Sequence, residues 1–179
     1  MKVIFVCSAN VCRSPLLAAL LTAAQPDIVV ASAGIRPVAV DIPDALRAQY
    51  VAMNVPLPVV TGQALEGVGA DDADLLLAAD REVLREMVVA RRTRWPRSFT
   101  VKEFARAVVE SPLDSLGSEI VHSAHAGRRA SDLLTASRLD DISDPGLSAT
   151  AETYATMALE LRRLVQTLGP VLATWSTSG

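Results

Sequence analysis

Residues 7–15 read Cys7-Ser-Ala-Asn-Val-Cys-Arg13-Ser14-Pro15, and they join two segments of different character. The run before them, Val3-Ile-Phe-Val6, is continuously apolar and rich in β-branched residues, which is typical of a buried strand. The run after them, residues 15–24, is expected to be a helix. Pro15 suits a first helical turn, and Ser14 is expected to be the N-cap. The pattern predicts a strand, a polar loop and a helix in succession.

Strands and helices continue to alternate along the chain. Further strands are expected at residues 28–32 and 73–79, with a short edge strand around Ser98 in an otherwise irregular stretch. Helices are expected at residues 43–54, 80–90 with Asp80 as N-cap, 101–109, 116–137 and 148–168. This alternation predicts a three-layer αβα fold with a four-stranded, mainly parallel, twisted sheet. Cys7 then lies at the carboxyl end of the first strand, where such sheets bind ligands.

The composition is that of an ordinary globular protein, with 50% apolar residues and a formal net charge of −3. The charge does not favour nucleic acid as a partner, and no apolar run is long enough for a signal peptide or a membrane span. Two closely spaced cysteines do not form a disulfide scaffold, so we expect free thiols in a reducing cytoplasm. We predict a single domain over residues 1–179, with a frayed tail at 175–179.

The loop between the first strand and the first helix carries the chemistry. Backbone amides at a helix start form a nest for an anion, and the helix dipole favours negative charge there. Arg13 adds a planar fork of donors that can hold two phosphate oxygens. The same positive surroundings favour the thiolate form of Cys7, which is a nucleophile. The alternative, a buried Cys7 that only packs beneath a turn, leaves Arg13 unexplained.

The loop resembles the signature of the low-molecular-weight protein tyrosine phosphatases, Cys-x-Gly-Asn-x-Cys-Arg-Ser-Pro. The one departure at a defined position is Ala9, which stands in place of the glycine. The resemblance continues in Ser32-Ala-Gly34, in the strand ending at Asp80 and in Asp141-Ile-Ser-Asp144-Pro145. It covers most of the chain, although residues 91–137 match poorly and are expected to be a helical elaboration.

By this resemblance, the protein is a phosphatase that needs no metal or cofactor and acts on a phosphorylated protein or a small aryl phosphate. Cys7 would be the nucleophile, Arg13 would bind phosphate, and Asp144 would be the general acid, with Asp140 and Asp141 as competing candidates. The implied phosphate-binding loop consists of Ser8, Ala9, Asn10, Val11, Cys12, Arg13 and Ser14. Ser14 would hydrogen-bond the Cys7 sulfur, while Asn10 and Ser32 would brace the loop.

The resemblance is weaker at the mouth of the expected site. Gly146 follows Asp144-Pro145 where the family usually has an aromatic residue, which removes a stacking partner for a phosphotyrosine ring. Val11 resembles the tyrosine-directed members, whereas the phosphoarginine-directed members have Thr there. Cys12 would either protect Cys7 by forming a disulfide with it or pack beneath the loop.

Two rival functions remain at this point. A non-catalytic phosphate-binding module would use the same loop, and Ala9 and Gly146 would then mark a decayed pocket. An arsenate reductase shares the loop but needs further cysteines downstream, and none follows Cys12.

The sequence also contains a pair of histidines and a run of arginines, and neither is expected to form a functional site. His122 and His125, with Glu119 one turn earlier, are expected to lie on a solvated helix face and not to form a metal site. The basic run Arg91-Arg-Thr-Arg-Trp-Pro-Arg97 is expected to be a solvated turn; the alternative is a docking site for an acidic phosphoprotein segment.

Overall fold

The computed structural model describes residues 1–111, 117–134 and 138–176. In these ranges the strands are β1 Lys2–Cys7, β2 Val29–Gly34, β3 Leu75–Ala78 and β4 Ser98–Thr100. They form one parallel sheet with the spatial order β2-β1-β3-β4. The predicted α/β fold and the edge strand around Ser98 are confirmed. Cys7 ends β1, one of the two central strands.

Helices cover both faces of this sheet. They are α1 Arg13–Ala24, α2 Asp44–Ala52, α3 Arg81–Ala90, α4 Val101–Glu110, α5 Gly117–Ala126 and α6 Ala151–Ser176, with short 3₁₀ turns at Glu66–Val68, Ala70–Asp72, Arg92–Arg97 and Ala130–Leu134. Side chains alternate between the two faces of a strand. Val3 and Phe5 of β1 therefore pack in one core with α1, α2, α4, α5 and α6, whereas Ile4 and Val6 pack in another with α3.

Of the two predicted helix caps, one is confirmed and the other is wrong. Asp80 caps α3 as predicted, because its Oδ1 accepts a hydrogen bond from the Val83 amide at 2.8 Å. The prediction for Ser14 is wrong: Cys12 is the N-cap of α1, and Ser14 lies within the helix. The Ser14 hydroxyl donates a hydrogen bond to the Ala33 carbonyl at 3.1 Å. It therefore joins the loop to β2 and does not cap the helix.

The single helix expected over residues 116–137 is also wrong. Helix α5 ends at Ala126, and the chain then turns so that Arg128 packs against the edge of the sheet. The Arg128 guanidinium lies 3.7 Å from the centroid of the Trp95 ring and donates to the Ser98 carbonyl at 2.7 Å. This cation–π contact and hydrogen bond favour an early end to the helix. Residues 116 and 135–137 lie outside the described residues.

The last helix is longer than the predicted range of 148–168. Helix α6 continues through Pro170 because Leu172 is buried and Trp175 packs at Gly117, where even a Cβ atom would lie 2.7 Å from the Trp175 side chain. The tail predicted at 175–179 is therefore wrong for Trp175 and Ser176, which are helical, and residues 177–179 lie outside the described residues. No helix among the described residues is both long enough and apolar enough to cross a membrane.

The basic run at residues 91–97 is a turn that is only partly solvated. Arg94 is only 1% exposed, and its guanidinium lies 3.0 Å from an Asp71 carboxylate oxygen. Arg91 pairs with the same carboxylate at 2.5 Å, and Arg97 donates to the Asp71 carbonyl at 2.6 Å. These arginines stabilise the turn before β3, so the prediction of a solvated turn is wrong for the buried Arg94 and holds for the exposed Arg91 and Arg92. Because three of the arginines in this run are bound to Asp71, they have less positive charge to offer in the alternative role, a docking site for an acidic phosphoprotein segment.

A buried carboxylate fixes the segment that follows residue 138. Asp140 is 7% exposed, and its oxygens lie 2.7 Å from Arg81 of α3 and 2.5 Å from Arg106 of α4. Burial alone would raise the pKa of Asp140, but the hydrogen bonds and charges of Arg106 and Arg81 outweigh it and lower the pKa from 3.8. The ionised carboxylate therefore joins this segment to two helices.

We predict that Asp140→Asn lowers the free energy of unfolding by about 2 kcal/mol at neutral pH, since it removes the charge from two pairs while leaving Arg81 partly buried. Because the folded-state pKa of Asp140 is depressed, its contribution is fully present above the unfolded pKa of about 4 and is lost as pH falls through the folded value. Urea titrations at pH 7 and at decreasing pH below 4 measure the difference.

The matched control for this experiment is Asp41→Asn, because Asp41 is an exposed carboxylate. Asp41 forms no ion pair or hydrogen bond with the described residues, so its substitution should change stability little. An Asp140→Asn protein as stable as the Asp41→Asn protein at pH 7 would contradict the role given to this carboxylate.

Candidate active site

The loop between β1 and α1 surrounds the sulfur of Cys7. The Cys7 Sγ atom lies 3.0 Å from the Ser14 Oγ atom and accepts a hydrogen bond from the Asn10 amide at 3.3 Å. Both contacts place a group that can donate a hydrogen bond at the sulfur. The Ser14 hydroxyl can rotate, so it can donate either to the Ala33 carbonyl or to this sulfur.

Asn10 holds the loop in shape. Its backbone has φ of 58°, a left-handed conformation that Asn tolerates better than most residues. Its Nδ2 atom donates to the Ser14 and Ser32 hydroxyls at 3.1 and 2.9 Å, and its Oδ1 atom accepts from the Gln63 amide at 2.9 Å. The buried amide thus joins the loop, α1, β2 and the segment after residue 62 in one network.

The residues after β2 bind the outer side of the loop. The amides of Ile35, Arg36 and Val38 donate to the carbonyls of Cys7, Ser8 and Ala9, respectively, at 2.9–3.1 Å. Gly34 is required by this approach, because a Cβ atom there would lie 2.6 Å from the Ser8 carbonyl oxygen. The carbonyls are thereby engaged away from the loop centre, which suits a nest of amides for an anion.

The alanine that replaces the family glycine is accommodated. Asn10 and Asn54 are the non-glycine residues with positive φ in the described chain, so Ala9 has an ordinary backbone conformation. Ala9 therefore introduces no backbone strain into the loop.

Arg13 lies between two carboxylates. Its side chain is 3% exposed; one terminal nitrogen donates to Asp80 at 2.7 Å and to the Ile142 carbonyl at 3.0 Å, and the other pairs with Asp144. Burial lowers the pKa of Arg13, but the negative charges of Asp144, Cys7 and Asp80 outweigh it and raise the pKa. The guanidinium is thus permanently charged beside the Cys7 sulfur.

The three candidate carboxylates have separate environments. Asp140 is held by its two arginines, and Asp141 accepts a hydrogen bond from the Arg81 amide at 2.9 Å at the start of α3. Asp144 is 53% exposed and contacts Arg13. Of the three, only Asp144 is placed at Arg13 with a solvent-accessible carboxylate, which is what a proton donor to a bound substrate requires.

The turn after Asp144 explains the missing aromatic residue. Gly146 has φ of 70°, a left-handed conformation that favours glycine over a bulky aromatic. Its amide donates to the Asp144 Oδ1 atom at 2.9 Å, and its carbonyl accepts from the Tyr154 hydroxyl at 2.7 Å. The tyrosine of α6 thereby ties down the turn that carries Asp144.

The second cysteine differs from the first. Burial, together with the negative charges of Asp144 and Cys7, raises the pKa of Cys12 to about 11, although Tyr154 and Arg13 act in the opposite direction. Cys12 is therefore a thiol at neutral pH and not a competing nucleophile. Both cysteines are free, so the disulfide between them stays a prediction.

Two residues at this site, Asp80 and Tyr154, form contacts that the sequence analysis did not predict. Asp80 was expected only as a helix cap, although its position at the end of β3, beside β1, could have suggested a site residue. The hydroxyl of Tyr154 had no comparable signal, because nothing near it in the sequence distinguishes it from a core residue of the last helix. His122 and His125 lie away from the loop on α5, and the described residues contain no cluster of three potential metal ligands.

Comparisons with known proteins agree with this architecture. The YwlE arginine phosphatase from Geobacillus stearothermophilus is 24% identical, with a TM-score of 0.69 over 97% of this chain and 93% of that one. The tyrosine phosphatase Wzb from Escherichia coli K30 is 17% identical, with a TM-score of 0.70 over 96% and 97%. The low molecular weight protein tyrosine phosphatase from T. tengcongensis is 23% identical, with a TM-score of 0.65 over 94% and 97%. No curated protein sequence matches the chain.

A match in sequence to a family model is more specific than the fold that the chain shares with these structures. The family model described as low molecular weight phosphotyrosine protein phosphatase matches residues 2–115, which include the loop at Cys7, Ser32 and Asp80 but not Asp144. The match covers more than half of the 179 residues. The chain therefore belongs to the low molecular weight phosphotyrosine protein phosphatase family.

Proposed function

We propose that this phosphatase hydrolyses phosphate monoesters, above all protein phosphotyrosine, through a phosphocysteine intermediate on Cys7, with Asp144 as general acid and base. The observation that carries the proposal is the convergence of three groups at one loop. A sulfur with two hydrogen-bond partners lies at the end of β1, a buried guanidinium interacts with it electrostatically, and an accessible carboxylate contacts that guanidinium. These groups supply a nucleophile, an anion binder and a proton donor.

The first step transfers the phosphoryl group to sulfur. The phosphate binds to the loop amides and to Arg13, where it replaces the Asp144 carboxylate while Asp80 keeps the guanidinium in position. The Cys7 thiolate forms a bond to phosphorus as the ester P–O bond breaks. Protonated Asp144 gives its proton to the departing oxygen, because expulsion of a phenolate, pKa about 10, is slow without a proton.

The second step releases inorganic phosphate. The Asp144 carboxylate accepts a proton from a water molecule, whose oxygen attacks phosphorus as the S–P bond breaks. The sulfur leaves as a thiolate, and the Ser14 hydroxyl and the Asn10 amide stabilise it. Each group thereby returns to its starting state.

Phosphotyrosine is the preferred substrate in this proposal because Val11 resembles the tyrosine-directed members. Two solved relatives, from Escherichia coli and T. tengcongensis, are named tyrosine phosphatases, and another is named an arginine phosphatase. Faster hydrolysis of a phosphoarginine peptide than of the matched phosphotyrosine peptide would contradict this preference. We also propose that the protein acts in a reducing cytoplasm, which its free thiols fit.

The rival functions have less support. A decayed phosphate-binding module has no need for an accessible carboxylate at Arg13, and neither Ala9 nor Gly146 is strained. An arsenate reductase of the thioredoxin-coupled kind needs a cysteine beyond Cys12, and the sequence has only two cysteines. Hydrolysis is the function that uses every group at the loop.

We predict that Cys7→Ser lowers kcat for an aryl phosphate by on the order of 10³-fold or more, because a serine hydroxyl is not ionised near neutral pH. Phosphate or vanadate should still bind, since Arg13 and the loop amides remain. Chromogenic hydrolysis in EDTA, with calorimetric titration of the anion, measures both effects. Turnover near that of the wild type would contradict the assigned nucleophile.

We predict that Asp144→Asn lowers kcat by about 10²–10⁴-fold for a poor leaving group and by less for an activated aryl phosphate, because only a poor leaving group needs the proton. Asp141→Asn is the matched control; it removes the charge at the start of α3 but keeps an oxygen that can accept from the Arg81 amide, and it should show no such leaving-group dependence. The kcat values of both variants across aryl phosphates of graded leaving-group pKa measure this. If only Asp141→Asn showed the graded loss, the acid assignment would be wrong.

A further inference from the structure

A large cleft opens beside Arg13, on the side of the loop that faces α3. It has a volume of about 860 Å³ and is bordered by the start of α3, by Arg36 after β2 and by the segment 138–144. Protein sites for whole small molecules have volumes of about 300–1,000 Å³. A phosphoryl group bound at Arg13 therefore leaves most of the cleft for other parts of its substrate.

The carboxylates that line this cleft are already engaged. Asp80 and Asp144 pair with Arg13, and Asp141 accepts from the Arg81 amide. Glu82 lies 3.3 Å from Arg36. Asp80 and Asp144 share the single guanidinium of Arg13, whereas Asp141 is held by a backbone amide, so each carboxylate of the lining already has a partner.

Two of the arginines that line the cleft are not engaged. Arg85 is half-buried on α3, and Arg138 is exposed at the start of the segment that carries Asp144. Neither forms an ion pair or a side-chain hydrogen bond with any residue in the described part of the chain. By contrast, Arg81, one turn before Arg85, is bound to Asp140 and to the Asp132 carbonyl. The cleft therefore has two guanidinium groups, on two different elements, that have no carboxylate partner among the described residues.

We propose that Arg85 and Arg138 form an anion subsite that binds a carboxylate flanking the phosphorylated residue, so that the protein prefers acidic phosphopeptides. This inference rests on the proposed phosphatase function. The phosphoryl group on Arg13 and an acidic side chain of the same peptide would occupy the cleft together, each with its own guanidinium. Electrostatic complementarity of this kind selects among substrates that share the same phosphorylated residue.

The location differs from the arginine run at residues 91–97. That run is the stronger basic cluster in the sequence, but Arg91, Arg94 and Arg97 are bound to Asp71. Arg85 and Arg138 are 53 positions apart in the chain, and only the fold brings them to one cleft. The structure therefore assigns acidic recognition to the active-site cleft.

The test compares two phosphotyrosine peptides of equal length, one with Glu and one with Gln on both sides of the phosphorylated residue. The wild type should have a higher kcat/KM for the Glu peptide. In the Arg85→Gln/Arg138→Gln double variant, the Glu-to-Gln ratio of kcat/KM should fall by about fivefold to tenfold at low salt, and the wild-type preference should shrink as salt rises. The single variant Arg138→Gln, at an exposed position, should show part of the fall.

The matched control is Arg162→Gln, which removes one exposed arginine from α6, on the sheet face opposite α3. This variant should keep the wild-type ratio. An equal ratio in the wild type and the double variant, or an equal fall in the Arg162→Gln protein, would overturn the subsite.

Two further measurements separate this inference from the proposed function. Hydrolysis of a small aryl phosphate by the wild type shows whether the chemistry is present. Calorimetric Kd values of both peptides for Cys7→Ser, with and without the two arginine changes, test the subsite without turnover. Absence of hydrolysis together with a Glu preference in binding would contradict only the proposed function, whereas hydrolysis without any Glu preference would contradict only the subsite.

Discussion

The ion pairs of Arg13 with Asp80 and Asp144 are the interaction on which the site depends. A guanidinium as buried as that of Arg13 would cost several kcal/mol without counter-charges. The parallel sheet supplies the first of them, because β1 and β3 are neighbours and Cys7 and Asp80 follow their carboxyl ends. Asp80 is largely shielded, whereas Asp144 is accessible, and we propose that it yields its position to a phosphate. In the proposed mechanism, the pair with Asp80 positions the arginine, and the pair with Asp144 gives way to the substrate.

A second layer of contacts keeps the loop ready before substrate arrives. The Asn10 side chain, the two serine hydroxyls it reaches and the amides that follow β2 fix the backbone around the sulfur. On the far side, Asp140 and Tyr154 fix the segment that carries Asp144. Such preorganisation means that little reorganisation is needed when charge develops on a transferring phosphoryl group. The Asn10 contacts and the contacts of Asp140 and Tyr154 involve residues that are far apart in the sequence, and only the fold brings them to one site.

The sequence predicted the parts of this structure that depend on local patterns. The apolar run at Val3–Val6, the loop and the cap at Asp80 each have a short-range signal, and the family signature in the loop added the expected residues. The sequence analysis did not predict contacts between residues that are far apart in the chain. Arg128 ends a helix by stacking on Trp95, Leu172 and Trp175 extend another past Pro170, and three arginines meet at Asp71. In each case, tertiary packing outweighs local propensity.

The central claim is that the phosphoryl group passes through the sulfur of Cys7. It is tested most directly by mixing the wild type with an aryl phosphate, quenching during the first turnover and mapping the phosphorylated residue by mass spectrometry. The account predicts a phosphoryl group on the peptide that contains Cys7, which disappears as the substrate is exhausted. Turnover with Cys7 unmodified and the phosphoryl group on a different residue would contradict it.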